Sequence, residues 1–326
     1  MIGTGGSISC VGESRTDLID YTYADKHLTI EQMLARVPEV NEFAEIRAEQ
    51  FLNVYGGGVS PAKWLELARR INRIFREDPS ASGVVVTHGT STLEETAYFL
   101  NLTVKSARPV VVTGAMRPPT ALSTDADMNL YDAVRVAANA EAAGKGVLVV
   151  LNDQIQAARD AVKSSTSRVE TFKSNDLGFL GYVDSDGSVV FYRSVVRAHT
   201  DATPFEPEKV HALPRVDVAY AYSGADAVVI EALAKAGCAG IVGAGLGSGS
   251  APAAFLDALQ AARESGIVIV IASQAASGRV MARRAFTERG FVVADNLAPK
   301  KTRILLMLAL TVTRRPEEIQ RMMLTY

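Results

Sequence analysis

Cysteine is nearly absent from this 326-residue chain: only Cys10 and Cys238 occur, far apart in sequence. No disulfide framework is expected, and a reducing compartment is the expected setting. Histidine is almost as scarce. His27, His88, His199 and His211 stand at no metal-ligand spacing from one another or from a cysteine, so no metal site is expected on them and no cofactor is read from the chain. An excess of one charge is missing too. Lys and Arg number 34 against 36 Asp and Glu, a formal net of −2. That balance argues against a nucleic-acid partner and against a basic membrane-surface helix. A small anionic substrate stays compatible, since one local arginine suffices for it. Long apolar runs are also lacking. Val147–Leu151, 266–272 and 304–312 are the longest, far short of the roughly 20 residues that span a bilayer. No charged segment followed by an apolar one opens the chain, and the cytoplasm is the expected location. The first motif starts only three residues in, fewer than the about five of an ordinary buried strand. Met1 is therefore compatible with an internal methionine behind a targeting segment.

What the chain does have is apolar content, 48% of its residues, enough at this length for two cores. Val84–Thr87, Val110–Thr113 and Val147–Leu151 are short, β-branched and bounded by Gly or Pro, as buried parallel strands are. Helical periodicity fills the gaps over 61–76, 93–100 and 126–141. This alternation predicts an α/β protein with an open, doubly wound, mainly parallel sheet, which places ligands at the carboxyl ends of its strands. Gly181–Val183 and 188–192 flank a turn and read as a hairpin. A polar stretch with Pro204, Pro207 and Pro214 reads as a linker over 196–215. It divides an N-terminal domain, 1–195, from a C-terminal α/β domain, 216–326, where strands at Val216–Tyr220, 240–242 and 267–272 alternate with helices at 226–236, 251–265, 303–312 and 316–326.

Three segments carry candidate chemistry. Thr4-Gly5-Gly6-Ser7 puts a hydroxyl beside two glycines at a strand end, where backbone N–H groups approach a ligand closely and form an oxyanion hole. By itself the pattern also suits a tight strand–helix turn. His88-Gly89-Thr90-Ser91-Thr92-Leu93-Glu94 runs from a strand straight into a helix. Ser91-x-x-Glu94 is a capping-box pattern, so Ser91 is expected as an N-cap. The Thr90 hydroxyl would sit at the helix N-terminus, where developing negative charge is favoured, while His88 reads as a structural histidine. In the third, Asn152-Asp153-Gln154-Ile155 leads to Lys163, either a solvated surface lysine or a desolvated one that acts as a base. A threonine hydroxyl, Thr4 or Thr90, is thus the candidate nucleophile. A nucleotide loop at 243–249 lacks the G-x-G-x-x-G spacing, and Cys10 reads as a small buried thiol.

Together these segments resemble the bacterial, homotetrameric L-asparaginase family. They match its TGGTIA, HGTDTMEETA and NDEIHAAR…TKTHT motifs. Gly114-Ala115-Met116-Arg117-Pro118, Asp127-Met128-Asn129-Leu130 and the ending from Gly290 through Leu306 match as well, so the likeness covers essentially the whole chain. It implies a larger N-terminal and a smaller C-terminal domain, active sites between subunits of an intimate dimer, and two such dimers per tetramer. It makes Thr4 the acylated nucleophile, Thr90 and Lys163 the second hydroxyl–amine pair, and Tyr21 or Tyr23 the tyrosine that assists Thr4. Gly89 and Ala115 fall on its substrate-binding loops.

The departures from that family cluster. Ser91 stands where the family has the aspartate that holds a substrate's α-ammonium. The serine and glutamine for the α-carboxylate fall on Gly56 and Gly57, a family asparagine falls on Leu246, and the neighbouring subunit's glutamate falls near Arg283. Losing the aspartate leaves a buried ammonium uncompensated at several kcal/mol, and each lost hydrogen bond adds roughly 1–3 kcal/mol. The expected substrate is therefore a small amide, lactam or ester that is not plain L-asparagine. A conventional L-asparaginase whose clamp is rebuilt from other residues is one alternative; a non-catalytic small-molecule binding protein is the other.

Overall fold

The computed structural model describes residues 1–23, 25–55 and 58–326. The backbone falls into two units, Met1–Ala202 and Thr203–Tyr326. In the first, the strands are β1 Ile2–Gly5, β2 Glu49–Val54, β3 Val84–Thr87, β4 Val110–Thr113, β5 Val147–Leu151, β6 Gln154–Ala157, β7 Val162–Lys163, β8 Phe172–Lys173, β9 Gly181–Val183 and β10 Val189–Phe191. Among the described residues, eight of them form one sheet in the order β10-β9-β6-β5-β4-β3-β1-β2, and β7 and β8 pair separately. The block from β5 to β2 is parallel; β6, β9 and β10 join antiparallel. β3, β4 and β5 are buried on both faces, as their continuous valine and leucine runs require.

Helices α1 Ile30–Leu34, α2 Pro61–Glu77, α3 Leu93–Thr103 and α4 Ala126–Ala138 cover this sheet. Ser60 caps α2 by accepting from Lys63 N, with Pro61 in the first turn, where its missing N–H is no loss. α3 runs three residues past the expected Leu100, and α4 stops at Ala138 instead of Glu141. The capping box expected at Ser91 is not formed. α3 starts at Leu93 with Thr92 as N-cap and no side-chain cap bond, and Ser91 is exposed on the preceding turn. The segment after β5 turns back on itself. Asn152 and Asp153 both have positive φ, 54° and 62°, and Leu151 pairs with Gln154 across them. They form a two-residue hairpin turn of the kind that left-handed Asn and Asp permit.

Beneath that turn α4 buries Asp132 at 3% exposure. Burial first, then the charge and hydrogen bond of Asp153, push its carboxyl up from an ordinary 3.8 to about 7. The folded chain thus holds a proton that the unfolded chain has lost. This favours folding at pH below 4, fades as pH rises, and is gone above 7. Asp132→Asn keeps the shape without the ionisation. It is expected to stabilise the protein by about 2 kcal/mol at pH 8, discounted for screening through exposed Asp153, and by little at pH 4. Thermal unfolding of both proteins across that range is the measurement. An equal change at both pH values would refute the assignment.

The second unit carries β11 Val216–Tyr220, β12 Gly240–Gly245, β13 Val268–Ser273 and β14 Val292–Val293 in a parallel sheet of that order. With them come α5 Val228–Lys235, α6 Ala253–Glu264, α7 Arg284–Thr287, α8 Pro299–Ala309 and α9 Pro316–Thr325. Its core joins Ile241, Phe255, Leu259, Ile269, Phe286 and Val293. β12 extends to Gly245, beyond the expected Val242, and α8 begins four residues before Arg303.

Candidate active site

β1 and β3 are parallel neighbours, Gly3 facing Thr87, so the Thr4 and Thr90 loops leave the same sheet edge side by side. The glycines set how closely they meet. A Cβ on Gly6, at φ +96°, would lie 2.3 Å from Gly89 Cα, and one on Gly5 2.4 Å from Val54 N and O. Only glycine fits such contact at that φ. Gly6 N donates to Val54 O at 2.9 Å, fixing the turn from the other side. Thr4 is 1% exposed and its hydroxyl donates to Thr87 O at 2.7 Å.

Tyr21 and Ser7 share a hydrogen bond of 2.9 Å. Burial pushes the Tyr21 phenol up to about 12, so its proton stays in place near neutrality. Its ring meets Tyr55 edge-on at 6.3 Å. Tyr23, the other candidate, is 89% exposed. Between the two, the structure brings Tyr21 to the first loop.

Lys163, at the end of the short strand β7, donates from Nζ to Thr90 Oγ1 at 2.7 Å and to Met116 Sδ at 3.4 Å. The second loop and the third segment, 73 residues apart, therefore meet at a hydroxyl–amine contact. Gly114, on the loop after β4, completes the wall: a Cβ there would lie 2.4 Å from His88 O and 3.2 Å from Thr90 Cγ2. Ala115 follows it and is fully buried.

His88 takes no part in this contact. Its Nδ1 pairs with Gly89 O at 2.9 Å and its Nε2 with Thr96 Oγ1 at 2.8 Å, and Trp64 Nε1 donates to that same hydroxyl at 2.8 Å. A carbonyl on Nδ1 fixes the proton there, which leaves Nε2 to accept from Thr96. Burial lowers the ring to about 4, so it is neutral and structural. Cys10 is buried and bonds Gly6 O, and its thiol is pushed up to about 11, burial first. A thiol so protonated is a poor nucleophile.

Of the remaining expected residues, Ser91 is exposed beside Thr90. Gly56 and Gly57 lie outside the described residues. Leu246 and Arg283 belong to the second unit. There Leu246 bridges Ser250, and Arg283 Nη2 donates to Ser250 Oγ at 3.0 Å and stacks on Phe286. Sequence reasoning passed over Asp125, which accepts from Met116 N and Arg117 N, both at 2.9 Å, and from Asn129 Nδ2 at 3.0 Å. Its one available signal was its place just before α4, as that helix's N-cap. Among the described residues no three His, Cys, Asp or Glu form a metal-binding group, and no helix is long and apolar enough to cross a membrane.

Comparison with known proteins covers the same length. Residues 1–197 match the family model "Asparaginase, N-terminal", and 215–323 match "Glutaminase/Asparaginase C-terminal domain". The chain is 42% identical to L-asparaginase 2 of Bacillus subtilis over 98% of its own length and 84% of that protein's. It is also 42% identical to the probable periplasmic L-asparaginase of Haemophilus influenzae, over 98% and 90%. A crystal structure of the probable cytoplasmic L-asparaginase of Campylobacter jejuni superposes with a TM-score of 0.95 at 42% identity, covering 100% of this chain and 98% of that one.

Proposed function

Because this chain belongs to the bacterial L-asparaginase family, amidohydrolases of non-peptide C–N bonds, we propose that it opens a small carboxamide in two steps on Thr4. Thr4 Oγ1 attacks the amide carbon, the bond to nitrogen breaks, and ammonia leaves with the threonine proton. Water then attacks the resulting ester, giving a proton through Thr90 to the Lys163 amine; Thr4 Oγ1 takes that proton back as the ester bond breaks and the acid departs. The observation that carries this reading is the Lys163–Thr90 contact of 2.7 Å beside the Gly6–Gly89 backbone contact. Gly89 and Ala115 line the substrate, and assembly as a dimer of dimers in the cytoplasm belongs to the same proposal.

The relatives' names favour L-asparagine as the substrate, with aspartate and ammonia as products. One observation favours a second reading, an amide without the α-ammonium: exposed Ser91 offers no charge beside Thr90. Ammonia release from L-asparagine and from succinamate, its desamino analogue, separates the two. The first predicts kcat/KM for L-asparagine at least tenfold the higher; the second predicts the reverse. Under the second, Ser91→Asp is expected to shift that ratio toward L-asparagine by about 10- to 100-fold, the worth of one charge-assisted hydrogen bond of roughly 1.5–3 kcal/mol. A ratio unmoved by Ser91→Asp would sink the second reading.

A further inference from the structure

We propose that Asp125 is a positioning residue for the hydrolytic pair, acting through Met116 to hold Lys163 Nζ against Thr90; the proposal rests on the reading of Lys163 given above. Asp125 is the N-cap of α4 yet makes no side-chain cap bond to its own helix. Its carboxylate turns back instead, one oxygen taking Met116 N and the other Arg117 N, both at 2.9 Å. The same carboxylate receives Asn129 Nδ2, which also donates to Gly114 O at 2.9 Å. Asn129 Oδ1 in turn accepts from Asn152 N at 2.8 Å, so the loop after β4 is tied to the β5–β6 turn. These bonds fix the backbone from which the Met116 side chain leaves. Met116, held at its own backbone N–H, sets its sulfur 3.4 Å from Lys163 Nζ.

A thioether suits that position. It is a weak acceptor and steers the lysine's N–H without adding a negative charge. A carboxylate there would favour the protonated amine and oppose its use as a base. The lysine is thus oriented by a sulfur that brings no charge of its own.

The test measures kcat and KM of Asp125→Asn, Met116→Leu and the double variant on L-asparagine and succinamate, with Lys163→Met as reference. Asparagine at 125 offers one oxygen to two N–H groups, and leucine keeps the bulk of methionine without its lone pairs. Each single change is expected to lower kcat about 10-fold, in the range of other supporting-shell losses, with KM within about threefold. The double variant should be no worse than the poorer single, since both remove one arm. Losses that multiply to about 100-fold, or a raised KM with intact kcat, overturn the proposal. Should Asp125→Asn not fold, Met116→Gln decides. Its amide oxygen restores an acceptor, so its kcat should exceed that of Met116→Leu, and equal values overturn the proposal. If Lys163→Met itself leaves turnover intact, the underlying reading of the site has failed. If Lys163→Met abolishes turnover while the other variants keep it, only the role of Asp125 and Met116 has.

Discussion

Thr4→Ala is expected to lower kcat by about 10⁴-fold or more, while the unfolding midpoint moves by no more than a few degrees. The size follows from the role. Without a nucleophile no ester forms, and what remains is binding and the oxyanion donors, which elsewhere leave a residual of roughly 10³–10⁴ over water. The small effect on stability follows from the geometry. The substitution removes one buried hydroxyl whose bond goes to Thr87 O, a loss of about 1 kcal/mol. Thr4→Ser should keep measurable activity, and denatured enzyme quenched during turnover should carry the acyl mass on the peptide that contains residue 4. Thr90→Val provides the contrast. If it abolishes acylation while Thr4→Ala still acylates, the nucleophile is Thr90 and the two roles exchange. Tyr21→Phe is expected to fall between wild type and Thr4→Ala if the phenol, bonded to Ser7 on the same loop, assists Thr4 as proposed.

The second large effect needs no catalytic atom. Gly6→Ala adds one methyl group, which would lie 2.3 Å from Gly89 Cα and 2.4 Å from Gly89 N at a φ of +96°. Both neighbours are backbone, which cannot swing aside as a side chain does. Overpacking of this kind costs about 1–3 kcal/mol, and an unfavourable φ adds of order 1–3 kcal/mol. The expected loss is about 3–5 kcal/mol of folding stability. Part of it is relieved by pushing the Thr4 and Thr90 loops apart, so kcat should fall at least 10²-fold even at temperatures where the variant is folded. Denaturant unfolding and kinetics on the same preparation measure both. Wild-type stability in Gly6→Ala would mean that the two loops are not in backbone contact in solution.

How far the sequence revealed this depends on which residues had to act alone. Val84–Thr87 and Val110–Thr113 declare themselves through uninterrupted valine, because a parallel strand buried on both faces tolerates little else. β6 was overlooked since Gln154 and Gln156 make it read as polar. Gln156 is in fact fully buried, held by Phe172 O and Ser174 Oγ. The two-residue Asn152-Asp153 turn was the signal available, as both residue types tolerate left-handed backbone. Ser91 was misplaced because a capping-box spacing is satisfied equally by a turn one residue earlier. At the site, the glycines and Lys163 could be singled out from the sequence, yet the pairing of Lys163 with Thr90 joins segments 73 residues apart, which no local pattern encodes. Asp125 was hidden among several acidic residues, and only the loop it faces sets it apart. The distinction between Tyr21 and Tyr23 rests on the Tyr21–Ser7 bond and on burial, neither of which a sequence displays.

The interlocked glycines also bear on how such a protein can change over generations. Gly5 lies against Val54 and Gly6 against Gly89, so the segment bearing Thr4 is clasped on both flanks and has almost no freedom to be remodelled. Ser91, one position beyond Thr90, lies on an exposed turn with no such restraint. With the roles proposed for Thr4 and Ser91, mutational drift can exchange what is recognised while leaving the bond-breaking apparatus untouched, and laboratory selection for new amides should accumulate its substitutions on that turn and spare the clasp.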